Sequence, residues 1–113
     1  MVELITASLD DDKAEDVVVI DLGGKSSIAD HMIVASGRST RQVGAMADHL
    51  AAKLKAAGFD VPKLEGRANA DWVLVDAGDA IVHLFRPEVR IFYNIEKMWD
   101  APSPAAPASS PGA

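Results

Sequence analysis

The stretch DWVLVDAGDAIVHLFR, residues 71–86, decides the fold. It holds two runs of alternating apolar residues joined by Gly78-Asp79, a pair suited to a tight two-residue hairpin turn. With that turn Ala77 faces Ala80, and Trp72, Val73, Leu74, Val75 and Asp76 fall opposite Phe85, Leu84, His83, Val82 and Ile81. Side chains alternate across a strand, so Val73, Val75, Val82 and Leu84 share one aliphatic face. Trp72, Leu74 and Asp76 share the other with Phe85, His83 and Ile81. That second face is too apolar for water and too polar for a sealed core. Two readings of it stay open. Either the chain's own helices cover it, or part of it, with Trp72 and the turn at its end, is a partner-binding surface with an aromatic anchor. A three-residue bulged turn would exchange the two faces.

Upstream, the β-branched run VVVIDL, Val17 to Leu22, stopped by Gly23-Gly24, predicts a buried central strand, and HMIVAS, His31 to Ser36, a second strand ending at Gly37. Ser39 with Gln42 three residues on has capping-box spacing. The helix it opens carries Val43, Met46, Ala47, Leu50 and Leu54 on one stripe, with Arg41, Asp48, His49, Lys53 and Lys55 off it. Gly58 is placed as a left-handed C-cap, with Leu54 and Phe59 in contact across it. Val2, Ile5 and Leu9 predict a short first helix that ends in Asp10-Asp11-Asp12. Residues 60–70 read as loop with a short edge strand near Val61 to Leu64. Downstream of the hairpin, Pro87 opens one or two helical turns that bring Val89, Phe92, Tyr93, Ile95, Met98 and Trp99 back onto the sheet.

At 113 residues the chain is a single domain, with 1–99 as the folding unit and 100–113, rich in Pro, Ala and Ser, as a disordered tail. The formal net charge of −6 argues against a protein whose main task is neutralising nucleic-acid phosphates; on an RNA particle it would meet basic protein. The acidity is local. Residues 1–30 carry eight acidic and two basic side chains, whereas residues 31–67 carry three acidic and six basic. The absence of cysteine excludes disulfides, thiolate catalysis and cysteine-held metals. The N-terminus does not read as a signal peptide and no run is long enough for a membrane span, so a cytoplasmic protein is expected.

Motifs with chemical potential are weak. Gly24-Lys25-Ser26 resembles the end of a phosphate-binding loop, but Val19 stands where that loop needs glycine, and a strand follows where it needs a helix. His31, His49 and His83 fall on three elements without metal-ligand spacing. Ser36, Ser39 and Thr40 lack the nucleophile-elbow spacing. Asp30, Asp76 and Asp79 imitate a carboxylate metal site, although turn chemistry accounts for Asp79. No catalytic residue, metal or cofactor is expected. The rival reading is a nucleotide-binding or residual nucleotidyltransferase protein using Lys25, Ser36 and the Asp76/Asp79 pair.

GKSSIADHMIVASGRSTRQVGAMADHL (24–50) followed by DWVLVDAGDAIVHLFRPEVRIFYNIEKMW (71–99) closely resembles the ribosomal silencing factor family, RsfS, also called Iojap-like. The resemblance runs from about Lys13 to Trp99. It implies an α+β domain, a mixed β-sheet flanked by helices, similar to a minimal nucleotidyltransferase fold without catalytic residues; Ser36-Gly37 indeed lacks the following Asp-x-Asp motif. It also implies binding to the large ribosomal subunit through ribosomal protein fourteen. A steric block of subunit joining, repressing translation when nutrients are short, would follow, with little direct nucleic-acid contact and a possible homodimer. By motif, Trp72 is the aromatic contact, Asp76, Ala77 and Asp79 shape the patch, and His83, Arg86 and Tyr93 line its rim. Many family members carry a larger apolar residue at Ala77, a departure that weakens this contact or shifts it to its neighbours.

Overall fold

A computed structural model of the chain describes residues 1–23 and 29–89. Along it run helix α1 (Val2–Asp11), strands β1 (Glu15–Asp21) and β2 (His31–Ser36), helix α2 (Thr40–Ala56), and strands β3 (Lys63–Glu65), β4 (Trp72–Asp76) and β5 (Ala80–Phe85). The strands form one mixed sheet in the order β1-β2-β5-β4-β3. Neighbours are antiparallel except β2 and β5, which run parallel. Parallel neighbours need a crossover, and α2 with β3 and β4 supplies it.

The hairpin has the two-residue turn. Trp72 pairs with Phe85, Leu74 with His83 and Asp76 with Ile81, and the Ala77 N–H donates to the Ala80 carbonyl at 3.0 Å. Gly78 takes φ +88°, the conformation that a first turn position of this kind demands and that glycine adopts without a Cβ penalty.

Helix α2 starts at Ser39, whose Oγ accepts from the Gln42 N–H at 3.1 Å. The reciprocal half of the expected capping box is absent. Gln42 Oε1 instead accepts from the Arg38 N–H, and its Nε2 donates to the Asp12 carbonyl at 3.1 Å, which ties the end of α1 to the start of α2. At the far end Gly58 has φ +94°, and the Phe59 N–H closes on the Leu54 carbonyl at 3.0 Å.

Helices α1 and α2 lie on one face of the sheet. Ile5 and Leu9 of α1 and Val43, Met46, Ala47, Leu50 and Leu54 of α2 pack with Ile33, Ala35, Val73, Val75, Val82 and Leu84 into one buried cluster. The aliphatic hairpin face is therefore the helix side, as its pattern predicts. A second cluster on the other face joins Ile20, Leu22, Met32, Val34 and Phe85, with Val18, Trp72, Ile81 and Val89 packed against it.

The run at Val17 to Leu22 is an edge strand, not the central one expected. Val17 and Val19 are 37% and 43% exposed. Apolar content alone does not distinguish a strand covered on both faces from one whose outer half looks into water. The central places go to β2 and β5, a pairing between residues some fifty positions apart that no local pattern reports. The edge is irregular at its start. The register shifts between Glu15 and Val18, and Asp16 takes φ +51°, a bulge that blunts an open edge. Gly24-Lys25-Ser26, the continuation of the last helical turns from Arg90 to Trp99, and residues 100–113 lie outside the described residues.

Candidate functional site

On the face opposite α1 and α2, where Val89 of the helical residues 87–89 also packs, β4 presents Trp72, Leu74 and Asp76, each half-buried, between fully buried Val73 and Val75 that point the other way. Phe85, opposite Trp72, is completely buried and forms a floor beneath the indole; the ring centroids are 5.1 Å apart with planes at 25°. His83 lies diagonal to Trp72 and is only 6% exposed. The indole Nε1–H donates to its Nδ1 at 3.0 Å. His83 also stacks on Phe85, 5.9 Å between centroids.

At the turn, the Asp76 carboxylate accepts from the Gly78 N–H at 3.0 Å, so it stabilises the turn it precedes. The Asp79 carbonyl accepts from the N–H groups of Asp30 and His31 at 2.9 and 3.2 Å, which fastens the hairpin tip to the start of β2. The Asp79 residue itself is exposed. Ala77 packs against the helix-side cluster and is not part of the Trp72 face. Strand alternation makes this unavoidable once the turn has two residues.

Arg86 leaves β5 beside Trp72 and is held by two carboxylates, Asp71 at 3.0 Å and Glu88 at 2.8 Å. Tyr93 lies outside the described residues. The face thus gathers Trp72, Asp76 and His83, with Asp79 at the tip and Arg86 at the opposite end. Two contributors went unread in the sequence. In register, Lys63 faces Asp76 and Glu65 faces Leu74, so β3 widens the face with a charged border. The short edge strand expected near Val61 to Leu64 is there, shifted to Lys63–Glu65, but three residues carry too little alternation to show which side chains share the Trp72 face.

Burial pushes the His83 imidazole down from its ordinary 6.5 to about 4. The indole hydrogen bond occupies the lone pair a proton would need. Between those values the unfolded chain binds the proton and the folded one does not. The neutral imidazole's stability is therefore complete above 6.5 and is lost as pH falls toward 4. The expected loss between pH 7 and 5 is about 2 kcal/mol. Denaturant titrations at both pH values should show His83→Phe losing about that much less than wild type; equal losses would exclude His83 as the source.

Of the rival constellation, Lys25 lies outside the described residues, and the other members are not brought together. Ser36 is buried and pairs with Phe85, while Asp76 and Asp79 sit at the other end of β5, roughly 16 Å away at the rise of a strand. Among the described residues no group of three or more His, Cys, Asp or Glu side chains could hold a metal ion. An open cleft of about 510 Å³ between α1 and α2 is lined by Asp11, Asp12, Lys13, Glu15, Arg38 and Gln42. Its charges largely pair with neighbours: Asp11 with Lys53, Asp12 with His49, Glu15 with Arg38.

A family model described as "Ribosomal silencing factor during starvation" matches residues 1–111. The chain belongs to the RsfS family. Among its relatives, a ribosomal silencing factor RsfS from Zymomonas mobilis is 63% identical over 99 residues, covering 88% of this chain and 74% of the relative. A mouse protein named "Mitochondrial assembly of ribosomal large subunit protein 1" is 33% identical over 87% of this chain and 44% of its own length. A crystal structure of a protein from Chromobacterium violaceum, 42% identical, superposes with a TM-score of 0.86 over 92% of this chain and 87% of that one. RsfS membership supports a ribosome-associated, translation-silencing role, that of a regulatory protein rather than an enzyme. The α+β fold with a five-strand mixed sheet and flanking helices agrees with the resemblance read from the sequence. Among the described residues no helix is long and apolar enough to cross a membrane.

Proposed function

We propose that this RsfS protein binds the large ribosomal subunit through ribosomal protein fourteen. The bound domain occupies volume the small subunit needs, and so blocks subunit joining when nutrients are short. The observation that carries the reading is Trp72, a half-buried indole presented on the sheet face opposite α1 and α2, beside an acidic turn. An aromatic anchor ringed by polar groups is what a protein interface places at its centre. The net charge of −6 suits a basic ribosomal protein better than RNA. The task needs a docking face and bulk, not an active-site cleft, and its place of work is the cytoplasm. In the free protein the same face is available to a second copy, forming a homodimer that opens on binding.

The purified full chain is expected to cosediment with large subunits and to lower the yield of joined subunits in proportion to the bound fraction. Cosedimentation without any effect on joining would remove the steric mechanism; no cosedimentation would remove the reading altogether.

A further inference from the structure

We propose that His83 is a positioning residue of the docking face: its Nδ1 lone pair holds the Trp72 indole by the N–H, so the ring meets its partner already oriented. This rests on the reading of Trp72 as the contact. Indole Nε1–H is a donor only, so His83 Nδ1 must accept and the ring proton must sit on Nε2. The family resemblance places His83 on the rim of the patch, with burial in the fold as the alternative. The structure gives it another role, because it is 6% exposed and its Nδ1 is already engaged.

The sheet leaves the imidazole little freedom to turn away. In register it is flanked by Leu74 on one neighbouring strand and Val34 on the other, and it stacks on Phe85 with planes at 16°. Phe85 lies beneath Trp72 as well. The indole thus has a floor that fixes its tilt and a latch that fixes its rotation about the side-chain bonds. A rigid anchor loses less entropy on docking than a free one, a gain that appears as affinity without any new contact.

The test uses the ¹⁵N-labelled full chain, with the Trp72 indole signal identified by its loss in Trp72→Phe, and cosedimentation with large ribosomal subunits. His83→Phe keeps an aromatic ring and removes the acceptor. His83→Asn returns an acceptor at the position of Nδ1. The Phe variant is expected to shift the Trp72 indole N–H signal, speed its exchange with water and weaken subunit binding about three- to tenfold, the cost of ordering one side chain. The Asn variant should restore both signal and affinity to within about twofold of wild type. Should His83→Phe fail to fold, His83→Leu makes the same comparison.

An unchanged indole signal in His83→Phe would overturn the latch. A shifted signal with unchanged binding would show that the latch exists but does not serve docking. If Trp72→Ala binds as tightly as wild type while the indole signal still responds to His83, the reading of Trp72 as the contact has failed and the latch has no docking function.

Discussion

Trp72→Ala is expected to weaken binding to the large ribosomal subunit by at least about 30-fold, the loss typical of a central aromatic anchor. Among the described residues the indole is the largest apolar side chain on the sheet face opposite α1 and α2, and the groups around it are arranged to support it. Phe85 lies under the ring, His83 accepts from its N–H, and Asp71 holds Arg86 at the end of the next strand. Removing the ring leaves Phe85 and the His83 acceptor exposed to water, so the loss includes surface that the partner can no longer seal.

The same contacts make Trp72 part of the fold. The substitution should therefore also cost about 2 kcal/mol of stability, less than the 3–5 kcal/mol of a fully buried aromatic. Binding must be measured well below the unfolding midpoint, with circular dichroism showing the variant folded. A folded Trp72→Ala protein that binds normally would move the docking site off this face.

The largest effect on stability is expected at a residue that touches no partner. Gly66 follows β3 with φ +82°, and a Cβ there would stand 2.3 Å from the Trp72 carbonyl oxygen and 3.7 Å from the Val73 Cα. Both atoms belong to the backbone of β4, so neither can move without disturbing the pairing of Glu65 with Leu74. The positive φ adds about 1–2 kcal/mol for any L side chain. Gly66→Ala is therefore expected to lose about 3 kcal/mol or more and to lower the unfolding midpoint by roughly 12 °C or more. It would disturb the start of the strand that carries Trp72, so binding should fall too.

Gly44→Ala is the control. A Cβ there meets Arg67 Nη1 at 2.7 Å, but this is the end of a flexible side chain whose bridge to Asp48 is about half exposed. Losing that bridge costs at most about 1 kcal/mol, and alanine in a helix returns a similar amount. Gly44→Ala should stay within about 1 kcal/mol of wild type. Equal losses at the two positions in calorimetry would refute the assignment of Gly66 to a backbone clash.

Much of this molecule is readable from local chemistry. The stripe Val43, Met46, Ala47, Leu50 and Leu54, the Ser39 cap, the Gly58 terminus and the pairing of Trp72 with Phe85 are each set by neighbours within one or two turns or one hairpin. Periodicity and turn chemistry are sufficient there. The strand at Val17 to Leu22 defeated the same reasoning because its place depends on which strand β2 prefers on its other side. That choice joins His31 to Ala80 across half the chain.

The proposed docking face divides along the same line. Its residues were legible, since alternation alone puts Trp72, His83 and Phe85 on one side, and resemblance to the family points to Trp72. Their roles were not. Whether His83 offers its ring to a partner or to Trp72, whether Asp76 is spent on its own turn, and whether Ala77 belongs with the helices are matters of distance and burial. Only the assembled sheet sets them.

By itself, then, the sequence determined a small acidic α+β domain of the RsfS family and which side chains share a strand face. The tertiary structure alone decided the order of strands in the sheet, the face that α1 and α2 cover and the hydrogen bond that holds Trp72. Local patterns record what a residue's neighbours in the chain require, whereas the strand order arises where β2 and β5, far apart in sequence, lie side by side, and the Trp72–His83 bond depends on side-chain geometry that alternation along a hairpin does not fix.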